Sequence, residues 1–322
     1  MFPDSPNPTR VQDVPPGADP PMPLILIHDA GGTTFSYFLL GSLHRDVWAI
    51  HNPKYLDAEP WEGGMDEMAR HYVDLIVEAG ISGTVLLGGW SLGGYLSLAM
   101  ARMLADDPSI NLSIAGCLMI DSPYHVALSK WTVPATNPPR DGLPDLVLKS
   151  FDLSSAMLQH WDLPSWDGPA CGGQDVEVGV AGRSFTLAPG TVLYKPLGGA
   201  WKPITARVYR HEETVDEPRA PPPAVVVRCT RSTPTPEGVS GRCRVDFYRD
   251  ETLLGWEGNH ADFVKAVFDI DDDHISVFDT YDRPKMNVLT AQLNECLEVL
   301  DGLRILDGLG SPSKQKPPPG SL

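Results

Sequence analysis

The sequence predicts an α/β fold in which a mostly parallel sheet carries helices on both faces. Three observations support this prediction. Short apolar runs alternate with longer segments whose apolar residues recur at helical spacing. The connections between these segments are short, as they are where helices cross over between parallel strands. A glycine-rich pentapeptide, residues 89–93, lies directly between a predicted strand and a predicted helix.

Each predicted element rests on its own pattern. Short, continuous apolar runs are typical of strands that are buried on both faces. Such runs occur at residues 23–28, 47–52, 84–90, 113–120, 224–229 and 263–270. Residues 63–80 predict a helix, because Met65, Met68, Tyr72 and Ile76 fall on one face and Gly80 supplies a stop signal. Residues 92–105 and 285–303 are predicted helices as well.

The strand and helix pattern divides the chain into four parts. Residues 1–22 are rich in proline and predict a flexible lead-in. Residues 23–124 and 223–305 predict the α/β core, and residues 306–322 predict a disordered tail. The block 125–222 interrupts the alternation and is too long for a loop, so we interpret it as an inserted lid.

Tryptophans are frequent in the predicted lid. The predicted lid begins directly after Asp121, at the edge of the sheet where a functional site is expected. We therefore expect the lid to cover that site. Two interpretations of the tryptophans are open: they wall a chamber for an apolar ligand, or they fill the small core of the insertion. The residues concerned are Trp131, Trp161, Trp166 and Trp201.

Ser91 lies at the centre of the glycine-rich pentapeptide. The segment Gly-Trp-Ser-Leu-Gly fits the G-x-S-x-G pattern, which places a serine on a sharp strand-to-helix turn in α/β-hydrolase folds. The flanking glycines are explained by the close approach of neighbouring backbone at such a turn. The alternative is an ordinary serine in a glycine-rich turn. The strand before it and the helix after it favour a nucleophile.

A nucleophilic serine requires a base and an acid, which follow it in chain order in this fold. His274 directly follows the last predicted strand, so it is favoured over His260, which precedes that strand. The acid has two candidates. Asp121 follows the strand 113–120 immediately, and Glu237 lies in the loop after 224–229. We favour Asp121, whose alternative role is that of a turn or cap residue.

An oxyanion hole requires two backbone N–H groups. Leu92, the residue after the serine, is expected to supply one of them. The loop 28–34, His-Asp-Ala-Gly-Gly-Thr-Thr, follows the first predicted strand and is expected to supply the other. Ala30 is the favoured donor and Gly31 the next. The alternative is a tight turn selected only for its glycines.

Charge and composition exclude several classes of protein. A net charge of −17 and a pI near 4.8 disfavour a nucleic-acid partner and an anionic membrane surface. The N-terminus lacks a signal-peptide pattern, and no apolar run approaches the length of about 18 residues that spans a membrane. The five cysteines include no C-x-x-C pair, so reduced thiols in a cytoplasmic protein are expected.

Four segments together resemble a known family. The segments PLILIHDAGGT, GGWSLGGYLSLAMA, CLMIDSP and LLGWE…DIDDDHISVF are similar to the thioesterase domains that end fungal polyketide synthases and non-ribosomal peptide synthetases. The resemblance covers residues 23–304 and matches a free-standing member of this group. In that family the acid lies at the position of Asp121 and the histidine at that of His274. Asp29 departs from the pattern, since many relatives have glycine there, and the insertion is longer than in many relatives.

The resemblance implies acyl transfer from a thioester or ester through an acyl-Ser91 intermediate, with no metal and no bound cofactor. It implies a polyketide or related acyl chain as cargo, which a carrier protein's phosphopantetheine arm would present. Hydrolysis and cyclisation are both open as release steps. Two other functions also stay open at this point: an esterase or lactonase acting on a free metabolite, and a binding protein that has kept the fold and lost the chemistry.

Overall fold

A central β-sheet organises the part of the chain that the structure describes. The computed structural model describes residues 6–14, 17, 20–138, 142–206, 219–235, 237–238, 241–257, 260, 262–278 and 281–306. The strands are β1 (Thr9–Gln12), β2 (Leu24–Ile27), β3 (Val47–Ile50), β4 (Gly83–Trp90), β5 (Leu112–Ile120), β6 (Ala135–Thr136), β7 (Val176–Val180), β8 (Arg183–Leu187), β9 (Thr191–Lys195), β10 (Lys202–Thr205), β11 (Ala224–Cys229), β12 (Arg242–Cys243), β13 (Val264–Ile270) and β14 (Arg304–Ile305). The α-helices are α1 (Gly64–Glu78), α2 (Leu92–Asp106), α3 (Asp145–Leu158) and α4 (Arg283–Asp301).

The main sheet has the strand order β1-β3-β2-β4-β5-β11-β13-β9-β10. Every pairing from β3 across to β9 is parallel, and the outermost strands β1 and β10 pair antiparallel with their neighbours. All residues of β2, β11 and β13 are buried, as expected of strands that are covered on both faces. The predicted α/β-hydrolase architecture, a mostly parallel sheet with helices, is confirmed.

Helices cover both faces of this sheet. α1 and α2 pack against each other and against one face, where Met65, Met68 and Tyr72 are buried in the core. α1 ends as predicted, because Gly80 adopts a positive φ of 73° and its amide donates to the carbonyl of Val77. α4 packs on the other face. None of the described helices is both long enough and apolar enough to cross a membrane.

The predicted boundaries of the insertion differ from the structure. β9 and β10 lie within 125–222, yet they extend the main sheet beyond β13. The β7–β8 hairpin packs beside α4, and the Ala181 amide donates to the Glu298 carboxylate at 3.0 Å. Residues 176–205 therefore belong to the core. The β-branched and aromatic residues of β9, Thr191, Val192 and Tyr194, are typical of a strand, but they do not indicate which strand it pairs with.

The lead-in also differs from the prediction. Residues 9–12, which were expected to be flexible, form β1 and pair with β3 at the edge of the sheet. The physical reason is that an edge strand needs only one partner, so a short, half-exposed segment suffices. Residues 307–322 of the predicted disordered tail 306–322 lie outside the described residues, as do residues 207–218 of the predicted insertion.

Candidate active site

Ser91 stands on a sharp turn between β4 and α2. Its backbone has a φ of 54° and a ψ of −113°, a conformation that non-glycine residues rarely adopt. The turn packs tightly, since a Cβ on Gly89 would lie 2.5 Å from the Ile27 carbonyl oxygen and one on Gly93 would lie 2.4 Å from the same oxygen. The glycines of the G-x-S-x-G segment are therefore required by backbone approach, as the sequence predicts.

Ser91, His274 and Asp121 form one hydrogen-bonded chain. His274 Nε2 lies 3.0 Å from Ser91 Oγ, and His274 Nδ1 lies 2.7 Å from Asp121 Oδ2. Because the carboxylate only accepts, Nδ1 carries the proton and Nε2 is free to accept from the serine hydroxyl. The three residues follow the carboxyl ends of β4, β5 and β13, which meet at one edge of the sheet.

Asp121 is fully buried and receives four hydrogen bonds. The Cys229 amide donates to Oδ1 at 2.9 Å, and Arg249 donates to both carboxylate oxygens at 2.5 and 2.8 Å. The fourth donor is His274 Nδ1. Burial alone would raise the pKa of Asp121, but the hydrogen bonds from His274 and Arg249 and the guanidinium charge lower this pKa to about 2. Asp121 is therefore ionised at neutral pH.

Arg249 is a residue of the site that sequence reasoning missed. It is 2% exposed, and besides Asp121 its guanidinium contacts Asp246 Oδ1 through Nε at 2.9 Å and the Cys229 carbonyl through Nη1 at 2.7 Å. It lies in the irregular segment between β12 and β13, where no periodic pattern points to a buried side chain. The spacing of Asp246 and Arg249, three residues apart, is the one local signal of an ion pair.

The rejected candidates lie elsewhere. His260 precedes β13 at the opposite end of that strand and borders a small cavity with Trp256 and Phe263. Burial lowers the pKa of His260 to about 4, so this histidine is neutral at physiological pH. Glu237 is exposed, whereas Asp121 is the carboxylate that contacts the imidazole of His274.

The loop after β2 and the start of α2 border the cavity that contains Ser91. Ala30 and Leu92 both border the cavity that contains Ser91, and Leu92 is the first residue of α2, where the amide has no acceptor within the helix. Gly31, in contrast, is not among the residues that border this cavity. Of the three predicted oxyanion-hole residues, Leu92 and Ala30 thus border the cavity that contains Ser91, and Gly31 does not. The binding of an oxyanion by their amides stays a prediction.

Two ionisable residues shape this loop. His28 is buried between the Asp29 carbonyl, 2.5 Å from Nδ1, and the Tyr72 hydroxyl, 2.6 Å from Nε2. Burial, opposed by the hydrogen bond to the Asp29 carbonyl, lowers the pKa of His28 to about 4, so a neutral ring bridges the loop to α1. Burial raises the pKa of the Asp29 carboxyl to about 6, against the hydrogen bond from Gly31 and the nearby His274.

A cavity of about 180 Å³ opens above Ser91. Its walls are mainly apolar and come from the insertion, from α2 and from the segment after β12. The contributing apolar side chains include Tyr95, Val126, Leu128, Trp131, Phe151, Leu158, Val245 and Phe247. The arrangement thus joins a serine–histidine–aspartate chain to an apolar chamber. Within the described residues, no group of three or more histidine, cysteine or acidic side chains is arranged to hold a metal ion.

Only part of the tryptophan prediction agrees with this cavity. Trp131 lines it, and Trp161 packs on the rings of Tyr95 and His125, which line it too. The other two, Trp166 and Trp201, do not line the cavity, so the chamber interpretation does not hold for them. Trp166 packs with Ala101 on α2. Trp201 packs on Phe268 and donates to Glu295 of α4, because residues 176–205 belong to the core.

The chain is similar to fungal thioesterases along most of its length. It is 46% identical over 282 residues to the probable thioesterase KK1J of Curvularia clavata, which covers 87% of this chain and 91% of the relative. It is 44% identical over 317 residues to the probable thioesterase lcsE of Purpureocillium lilacinum, covering 94% of this chain and 98% of the relative.

Family and fold comparisons agree with these relatives. The model of the thioesterase domain family matches residues 22–151, which include Ser91 and Asp121. Among solved structures, the NocB thioesterase domain from the nocardicin cluster has a TM-score of 0.50 at 15% identity, covering 86% of this chain and 94% of that one. At that identity the likeness concerns the fold. The assignment to a family rests on KK1J and lcsE, which are 46% and 44% identical to this chain over most of its length. This chain therefore belongs to the thioesterase family, as a thioesterase of the fungal secondary-metabolism type.

Proposed function

We propose that this protein is a serine-dependent acyl hydrolase or cyclase that releases an acyl chain from a thioester through an acyl-Ser91 intermediate. The observation that carries the proposal is the hydrogen-bonded chain from Ser91 through His274 to Asp121 at the floor of an apolar cavity. In this proposal Ser91 is the nucleophile, His274 the general base and Asp121 the residue that orients the imidazole.

The first half of the reaction acylates the enzyme. Ser91 Oγ attacks the thioester carbonyl carbon while His274 Nε2 takes the hydroxyl proton. The oxyanion that forms accepts hydrogen bonds from the amides of Leu92 and Ala30, where the N-terminus of α2 also favours negative charge. When the intermediate collapses, the C–S bond breaks and His274 returns the proton to the leaving thiolate. Ionised Asp121 stabilises the imidazolium between these two transfers.

The second half releases the acyl chain. A water molecule, or a nucleophile within the acyl chain itself, loses a proton to His274 and attacks the carbonyl carbon of the acyl-Ser91 ester. The bond between this carbon and Ser91 Oγ then breaks, and His274 returns the proton to Ser91 Oγ. Attack by water gives a free acid, and attack by a group of the chain gives a cyclic product. The mainly apolar wall, including Trp131, Phe151 and Leu158, is suited to hold a chain of polyketide type against Ser91.

Membership of the family supports a thioester as the substrate, and we propose that the phosphopantetheine arm of a carrier protein presents it. The net charge of −17 gives no long-range attraction to an acidic carrier, so recognition would rest on local contacts around the cavity mouth.

The test is detection of the acyl-enzyme. The protein is mixed with acyl-pantetheine thioesters of several chain lengths, and its intact mass is followed together with the released products. An added acyl mass that maps to Ser91, and that is missing in Ser91→Ala, supports the proposal. Turnover of simple aryl esters with no turnover of any thioester would replace it with an esterase function. Binding of the thioesters with neither acylation nor turnover would identify a catalytically silent binding protein.

A further inference from the structure

Two serines on helix α3 hold the loop that carries Ala30. Ser150 Oγ donates to the Ala30 carbonyl at 2.9 Å, and Ser154 Oγ donates to the same oxygen at 3.2 Å. The serines are four residues apart and therefore lie on one face of α3, where they are 5% and 4% exposed. Serine hydroxyls inside a helix commonly bond back to the carbonyl of the preceding turn. These two instead reach a loop more than 100 residues away in the chain.

This pair of hydrogen bonds restrains the backbone of Ala30. Two donors satisfy both lone pairs of one carbonyl oxygen, so the peptide plane between Ala30 and Gly31 is held from the insertion side. The adjoining Asp29–Ala30 plane, which carries the Ala30 N–H, meets this held plane at the Ala30 Cα, so the pair restrains that amide indirectly. The loop is held from the core side as well, because the Asn52 amide donates to the Gly32 carbonyl at 3.0 Å. The approach of the helix is close: a Cβ on Gly32 would lie 2.8 Å from Ser150 Oγ.

The same helix forms part of the cavity wall. Phe151 and Leu158 of α3 border the cavity, and Ser154 borders it as well. A chain that fills the cavity therefore contacts α3, and Ser150 and Ser154 join α3 to Ala30, which borders the same cavity as Ser91. The hydroxyl groups of Ser150 and Ser154 therefore connect the helix that contacts the acyl chain to the loop that carries the Ala30 amide.

We propose that Ser150 and Ser154 are positioning residues that set the Ala30 amide for oxyanion binding when α3 is seated on the acyl chain. The proposal rests on the proposed function. Its chemical consequence is that the two hydroxyls stabilise the tetrahedral intermediate and contribute little to binding of the substrate in its ground state. Interactions that act only at this stage change kcat rather than KM.

The test is the double variant S150A/S154A, measured with a long-chain acyl-pantetheine. Removing one oxyanion donor costs about 10²- to 10³-fold in kcat, so a misplaced donor is expected to cost about 10- to 100-fold, with KM within about twofold of the wild type. A trifluoromethyl ketone that adds to Ser91 as a tetrahedral adduct is expected to bind more weakly by a similar factor. The free acid product is expected to bind as tightly as it does to the wild type.

S155A is the matched control, because Ser155 lies on the same turn of α3 and borders the cavity without a hydrogen bond to Ala30. Any change it causes is expected in KM. The proposal is overturned if the double variant keeps wild-type kcat, if it weakens the ketone and the acid equally, or if S155A lowers kcat as much. If the double variant does not fold, the same measurements are made on the single variants S150A and S154A. Each is then expected to lower kcat by about 3- to 10-fold with little change in KM. Failure of the proposed function would appear separately, as wild-type protein that is not acylated at Ser91.

Discussion

Replacing Arg249 with methionine removes the cation that lies between two fully buried carboxylates, Asp121 and Asp246. The guanidinium donates two hydrogen bonds to Asp121 and one to Asp246. After the substitution, Asp121 keeps the donors Cys229 N–H and His274 Nδ1–H. Removing one partner of a buried ion pair costs about 3–5 kcal/mol of unfolding free energy. Each kcal/mol of unfolding free energy that is lost lowers the melting temperature by about 2–4 °C. We therefore expect the melting temperature to fall by on the order of 10 °C at neutral pH.

The loss is expected to depend on pH in a defined direction. The folded-state pKa of Asp121 is about 2, below the ordinary value of 3.8 for an aspartate, so the ionised carboxylate stabilises the fold above about pH 4. This contribution is lost as pH falls through about 2. Without Arg249 the pKa of Asp121 rises, and the carboxyl takes up a proton at a higher pH. The stability difference between wild type and variant is therefore expected to be largest at alkaline pH and to shrink once pH falls below the raised pKa.

The assay is thermal unfolding of both proteins from pH 8 to pH 3. Arg242→Met is the control, since Arg242 lies nearby in the chain and pairs with Asp250 at the surface, where the ion pair is 46% and 79% exposed. An exposed pair of this kind contributes at most about 1 kcal/mol. If Arg249→Met melts no lower than Arg242→Met, or if its deficit is the same at every pH, the guanidinium does not hold Asp121 in its ionised form and the reasoning is wrong.

Three further outcomes are expected from substitutions in and around the site. Ser91→Ala lowers thioester turnover by about 10⁴-fold or more with an unchanged melting temperature, and a variant that keeps a tenth of the activity would refute its role as nucleophile. His274→Ala is as damaging as Ser91→Ala, the double variant is little worse than either, and His260→Ala is much milder; kinetics that rank the two histidines in reverse would exclude His274 as the base. Asp121→Asn lowers kcat strongly, because an amide favours the wrong tautomer of His274 and cannot balance its charge, while exposed Glu237→Gln has little effect. Equal, small losses for the two acids would mean that another group orients the imidazole.

The parts of the site that follow strand ends could be predicted from the sequence. Ser91, Asp121 and His274 each come after an apolar run, and parallel strands bring such positions to one edge whatever the rest of the chain does. Arg249 could not be found in this way, because its burial depends on the path of an irregular segment. The serines of α3 were also hidden, since their partner Ala30 is distant in sequence and a serine in a helix carries no signal of what it contacts.

The same reason explains why the predicted extent of the insertion is wrong. The sequence predicts a single insertion over residues 125–222, because the regular alternation of strands and helices stops there. Short strands such as β9 indicate their own conformation, but the strand order of a sheet is decided by contacts among distant segments. For that reason the sequence leaves open whether Trp201 lines the chamber, and in the structure it packs on Phe268 of β13.

The position of β9 and β10 at the edge of the main sheet limits how this enzyme can be engineered. A chimera that exchanged the whole interval 125–222 for the lid of a relative would strip two strands from the sheet. The flank of β13, a strand whose seven residues are all buried, would then be left open. An uncovered apolar edge of this kind pairs with other chains and aggregates. Grafts intended to alter substrate choice should therefore end before β7, so that residues 125–175 are exchanged and the recipient keeps its own outer strands.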